Sequence, residues 1–192
     1  MEHAFGLEIP RTLEDVCDPK RLALIVYDMQ AGILSQLPDP APVVARVVAV
    51  LNAARAVGVR VFFTRHLSLP KELMGVFQLR QAMAWQHVKS VSEVQPWFLR
   101  DSPGFPLIPD LAPRPSEAVF DKITMSAFEG TYLNTALRDC GINVVAVVGV
   151  ATEVGIEPTV RHAADLGYVP VLVTDACGAG RAEAGARSIE SL

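Results

Sequence analysis

The chain has 192 residues, 51% of them hydrophobic, which is enough apolar side chain to fill one α/β core and little for two. A net charge of −4 with scattered basic residues lacks the positive patch that phosphate backbones require, which argues against a nucleic-acid partner. Cys17, Cys140 and Cys177 are odd in number and far apart, against a disulfide framework or zinc cage, and no uncharged run approaches the ~20 residues that span a bilayer.

The first seventeen residues, MEHAFGLEIPRTLEDVC, hold no apolar stretch of signal-peptide length, so the expectation is a soluble cytoplasmic protein. Leu22–Tyr27 is a continuous apolar run, as expected of a parallel strand covered on both faces, and Asp28 marks its carboxyl end. From Val43 to Val57 the apolar residues Val43, Val47, Val50, Leu51 and Ala54 follow helical spacing, with Gly58 placed to end the helix. Val59–Thr64 reads as a second strand. The excursion from Arg65 to Ser116 carries half of the 14 prolines and one expected helix from Glu72 to about His87. Loops longer than roughly 15 residues tend to be lids, binding loops or interfaces, so residues 65–116 are assigned to substrate enclosure, subunit contact or both. The alternation then returns: strand at Val119–Asp121, helix at Tyr132–Cys140, strand at Val144–Gly149, helix at Ile156–Leu166, strand at Val169–Thr174. A last helical segment, Gly180–Leu192, would normally lead into another strand. These elements predict a single α/β domain over residues 1–192, a doubly wound, mostly parallel sheet with helices on both faces, with or without a last strand after the final helix.

Ligands of such sheets bind beyond the carboxyl ends of the strands, which directs attention to Asp28, His66, Lys122 and Val150. Asp28 is either an acid/base carboxylate or a helix N-cap. Lys122 either pairs with Asp28 and tunes it or is solvated. Pro158 lacks an N–H and is tolerated only in the first helical turn, which puts a helix start near Val154 or Gly155 and a bare amide on Gly155 at its positive end. That amide could polarise a substrate, or the glycine could serve only close packing. Glu153, Glu157 and Arg161 read as a solvated face or an ion pair, and His162 as a local packing or capping group. His66 is either a ligand contact or structural. His3, His66, His87 and His162 have no metal-binding spacing, no glycine motif cradles a phosphate, and Cys177 reads as a packed thiol. No metal or other cofactor is expected.

Three segments together, LALIVYDMQ around Asp28, DKITMSAFEGTYL around Lys122 and GVATEVGIEPTVRHAADLGY, resemble the isochorismatase-like hydrolases, also called cysteine hydrolases, from Leu22 to Ala176. The resemblance implies a Rossmann-like three-layer fold, a hydrolase, and frequent assembly into dimers or larger homo-oligomers. The family aspartate and lysine match Asp28 and Lys122, whereas the family's usual cysteine, in a GVATxxC pattern, falls on Gly155. Without sulfur there, no thioester can form. Isochorismatases proper are similar in carrying a small residue at this position, with the aspartate protonating a vinyl ether so that water attacks the resulting oxocarbenium. That branch tends to have an aromatic residue where this chain has Ala151, and His66 stands near one of its polar substrate contacts. The resemblance also implies substrate contact at Val150, Ala151 and Phe128, and a non-proline cis peptide at Val150–Ala151.

The reading is therefore a cofactor-independent hydrolase of a small polar molecule, cyclic or open-chain. Asp28 is its general acid/base, Lys122 its tuning partner, the amides near Ala151 and Gly155 polarise the substrate, and water is the nucleophile. The alternatives are a catalytically silent binding module and a cysteine amidohydrolase whose cysteine was mutated.

Overall fold

The computed structural model describes residues 1–192. Its centre is a five-stranded, all-parallel sheet of β3 (Leu22–Tyr27), β4 (Arg60–His66), β5 (Ala118–Lys122), β6 (Val144–Val150) and β7 (Val169–Gly178), in the order β5-β4-β3-β6-β7. The chain winds from β3 outward to β5, then returns to the other side of β3 to place β6 and β7. The winding direction thus reverses between β3 and β6, whose register pairs Leu22 with Val144 and Tyr27 with Gly149. Crevices outside the carboxyl ends of strands at such a reversal are where doubly wound sheets bind ligands. Asp28 and Ala151 are the next residues out of these two strands.

Both central strands are buried along their full length, which explains their unbroken apolar sequence. Because successive strand side chains point to opposite faces, Leu22, Leu24 and Val26 join one core with Val43, Val47 and Leu51. Those three residues are the buried stripe of α3 (Ala41–Ala56). Ala23, Ile25 and Tyr27 join a second core with Leu133 and Leu137 of α5 (Leu133–Asp139) and Val160 and Ala163 of α6 (Glu157–Asp165). Helices therefore cover both faces of the sheet, as expected from the alternation of elements.

Several details differ from the sequence reading. The N-terminal segment, read without secondary structure, forms an antiparallel hairpin of β1 (Glu2–Ala4) and β2 (Leu7–Ile9), turned by positive φ at Phe5 and Gly6. The short helix α1 (Leu13–Val16) follows, held by a Thr12–Asp15 capping box. Such short elements carry too few residues for a period to show. Another short helix, α2 (Ala31–Leu34), follows Gln30. The helix expected from Glu72 to His87 is broken by Gly75 into a single turn at Lys71–Leu73 and α4 (Val76–Gln86). β7 runs four residues beyond Thr174, past a register irregularity opposite Val147 to Gly149. The last helix, α7, spans Ala182–Ser191. The longest helix, α3, has 16 residues, and no helix is long and apolar enough to cross a membrane.

Candidate active site

Neighbouring strand ends bring together groups far apart in sequence. Asp28 leaves β3 with φ of 47°, a left-handed conformation that aspartate adopts more readily than most residues. Its carboxylate is 4% exposed and accepts two hydrogen bonds from other strands. Thr64 Oγ1, on β4, donates to Oδ1 at 2.6 Å and accepts from the Asp28 N–H at 3.2 Å. Lys122 Nζ, at the end of β5, donates to Oδ2 at 2.7 Å and to the Thr124 carbonyl at 3.1 Å. Lys122 is as deeply buried as Asp28. Burial pulls its ammonium below the ordinary lysine range, and the Asp28 carboxylate opposes that pull. A buried, hydrogen-bonded ion pair at a strand end is a group positioned to take or give a proton.

Tyr27 completes this cluster. Its ring lies 4.3 Å from Lys122 Nζ, a cation–π contact, and its hydroxyl donates to the Met125 carbonyl. Burial first, and the Asp28 charge second, push the phenol well above its ordinary pKa, so it remains protonated at neutral pH.

His66, the last residue of β4, lies beside this group, its ring edge-on to Phe98 at 5.9 Å. Burial, then the Lys122 charge, lower its pKa to about 4, with Asp28 opposing. The imidazole is therefore neutral near pH 7. Gln30 fixes its backbone: Oε1 accepts from the His66 N–H at 2.6 Å, while Nε2 donates to the carbonyls of His66 at 3.1 Å and Phe105 at 2.8 Å. Gln30 is fully buried and ties the proline-rich excursion to the sheet edge. Sequence reasoning missed Gln30 and Thr64. The only signal for Gln30 was its position two residues after the aspartate, and a threonine inside a strand carries none.

On the other side of the reversal, the peptide Val150–Ala151 is cis, as the resemblance implied. One wide helical turn, Thr152–Ile156, then leads into α6 with Pro158 in its first turn. The amides of Val154, Gly155 and Ile156 all converge on the Ala151 carbonyl, at 3.2, 3.0 and 3.2 Å. This corrects the expectation of a bare Gly155 amide. Pro158 cannot donate, and the turn ahead of it widens instead of ending, so Gly155 is buried inside the helical stretch. The amides without a helical acceptor are those opening the stretch, Thr152 and Glu153. Phe128 is likewise not a wall of the site. It is buried in the second core, stacked on Tyr168 at 5.7 Å, because an aromatic side chain beside the α6 face gains more from packing than from solvent.

A cavity of about 660 Å³ opens over these groups, lined among others by Tyr27, Asp28, His66, Val150, Ala151 and Glu153. The excursion supplies its aromatic wall through Trp85, Trp97 and Phe98, with Arg181 on the far side. Glu153 Oε1 accepts from the Arg181 N–H at 2.9 Å, while its Oε2 is buried without a partner. The remaining singled-out groups are local. Arg161 pairs with Glu157 at 3.0 Å, Ser126 Oγ and His162 Nδ1 lie 2.9 Å apart, and burial pushes the Cys177 thiol up to about 12. No three His, Cys, Asp or Glu side chains converge as metal ligands do.

The sequence matches the isochorismatase domain over residues 22–192. It is 30% identical, over 82% of this chain and 69% of the relative, to the ureidoacrylate amidohydrolase RutB of Pantoea ananatis. Among solved structures, an isochorismatase family protein from Desulfovibrio vulgaris is similar with a TM-score of 0.75 and 25% identity, covering 88% of each chain. A cysteine hydrolase from Pseudomonas syringae is similar with a TM-score of 0.70 and 28% identity, over 85% of this chain and 75% of that one.

Proposed function

The chain belongs to the isochorismatase family and is a hydrolase, and on that premise we propose that it cleaves a small polar substrate, cyclic or open-chain, without a cofactor, with Asp28 as general acid/base and water as nucleophile. The observation that carries this reading is the buried Asp28 carboxylate, held on one oxygen by Thr64 and on the other by Lys122 beside the cavity. Position 155, where the family resemblance calls for cysteine, offers no nucleophile.

Two bond classes suit this arrangement. With an amide or ureide, Asp28 takes a proton from water as its oxygen bonds to the carbonyl carbon, then returns that proton to the departing nitrogen. With a vinyl ether, Asp28 in its protonated form delivers a proton to carbon, water adds to the oxocarbenium and returns a proton to Asp28, and the hemiketal so formed breaks its bond to the ether oxygen, its hydroxyl proton passing to that oxygen, to release an alcohol and a carbonyl product. Lys122 holds the carboxylate in place through either sequence. The backbone N–H groups of Ala151 and Glu153, two residues of the cavity wall, provide donors for an oxygen that gains charge. Of the two bond classes, ureides and amides come first. The relative named above is a ureidoacrylate amidohydrolase. His66, Val150 and Ala151 contact the substrate, and the aromatic wall from residues 65–116 covers it.

The test is an assay of wild type and Asp28→Asn against ureidoacrylate, other ureides, simple amides and vinyl ethers. Product release by the wild type supports the reading, whereas ligand-induced melting shifts with no turnover would make this a silent binding module. The three unpaired cysteines suit a reducing cytoplasm. The exposed apolar side chains Leu73, Val76 and Phe77 suit a dimer or larger assembly, and light scattering showing a monomer at micromolar concentration would refute that.

A further inference from the structure

Gly155 has no side chain, yet the space beside its Cα is occupied. A Cβ built on residue 155 would overlap the Tyr27 hydroxyl and Cζ and lie 2.6 Å from Cε1, closer than real Cβ contacts come. The obstacle is held firmly. The Tyr27 hydroxyl is hydrogen-bonded to the Met125 carbonyl, the ring is in contact with the Lys122 ammonium, and residue 27 is 2% exposed inside the second core. Gly155 cannot withdraw either. Its amide is bonded to Ala151 and its carbonyl accepts from Thr159 Oγ1 at 2.7 Å, and that same hydroxyl accepts from the Ala127 N–H.

We propose that Tyr27 and Gly155 form a mutually exclusive pair that sets the reaction class of this site. The phenol takes the volume a nucleophilic side chain at position 155 would need, so the cavity is restricted to water as nucleophile. This inference rests on the proposed hydrolase site and adds to it a residue that determines how the substrate is attacked. It also explains why a side chain is missing at 155: the preceding strand, through the residue just before Asp28, already fills the place. A single Gly155→Cys substitution then cannot install a thiol, and removal of the ring must come with it.

The experiment compares Gly155→Cys made in the wild type with the same change made in Tyr27→Val. Two quantities are read: the melting temperature, and the rate at which iodoacetamide alkylates residue 155, by peptide mass mapping against the exposed Cys17 and Cys140. In the wild type, Gly155→Cys is expected to lower the melting temperature by roughly 10 °C or to leave the protein insoluble. In the Tyr27→Val background the same change is expected to cost no more than about 4 °C. Its thiol, in the space vacated by the ring that lay against Lys122, should then react roughly tenfold faster than the two surface cysteines. Tyr27→Leu serves as a second background if Tyr27→Val does not fold. Equal melting losses in all backgrounds, including loss of fold in each, overturn the proposal, as does a thiol that reacts equally fast with Tyr27 present. Neither quantity depends on turnover. A wild type that turns over nothing would sink the proposed function and leave the pair intact, and equal melting losses would do the reverse.

Discussion

Asp28 has two carboxylate oxygens, and each has one strong donor within 2.7 Å. Strand ends made Asp28 and Lys122 legible as candidates, because a charged residue closing an apolar run needs an explanation. Their pairing was not legible, since 94 residues separate them and no local pattern encodes a meeting across β4. Tyr27 was hidden for the opposite reason. It closes an apolar run and reads as one more core residue, and only coordinates reveal that its hydroxyl reaches the α6 side of the site. His66 gives a prediction at this scale. Its pKa falls from 6.5 unfolded to about 4 folded, so its contribution to stability is complete above 6.5 and disappears as pH falls through about 4. Between those values the wild type should lose stability more steeply than His66→Gln, by at most about 1.4 kcal/mol per pH unit and less where solvent screens the ring. Urea melts of both proteins at pH 7 and pH 5 read the difference, and parallel losses would refute it.

Elements are placed by contacts of the same hidden kind. The periodicity of α3 was plain in the sequence, but the helix is also fastened to the start of β5 by Arg55, whose guanidinium makes a bidentate pair with Glu117, both contacts at 2.7 Å. Arg55 also donates to the Leu111 carbonyl at 2.9 Å, and the two side chains are only 9% and 5% exposed. Burial raises the Glu117 pKa, but the hydrogen bond from Arg55 and the other donors outweigh it and leave the pKa below its ordinary value. The pair therefore contributes stability that is present above the ordinary carboxylate range and lost as pH falls through the lowered folded value. Arg55→Met leaves Glu117 buried without its partner and should cost about 3 kcal/mol at pH 7. Arg55→Met/Glu117→Leu should recover most of that loss. Equal destabilisation by the single and double changes, in denaturant titrations, would show that the pair does not fasten the helix. The wide turn before α6 belongs at this scale as well. Pro158 pointed to a helix start in the right place, but not to the widening that consumes the Gly155 amide.

For the whole molecule, the alternation of strand and helix carried the fold, because a parallel sheet needs crossovers and buried strands need unbroken apolar runs. The reversal between β3 and β6 then dictates where a site forms, and the cavity lies there. The aromatic wall was only partly legible. Prolines marked residues 65–116 as an excursion, but nothing local shows that Trp85, Trp97 and Phe98 turn back over the strand ends. The proposed hydrolysis depends on one carboxylate moving the proton. Its most direct test is kcat/KM for wild type and Asp28→Asn on the first panel compound that the wild type hydrolyses, with circular dichroism and melting to show that the fold is kept. A fall of about 10² to 10⁴ is predicted, and an Asp28→Asn protein with its fold intact and turnover within about twofold of wild type, well short of what an acid/base group supplies, would contradict the account.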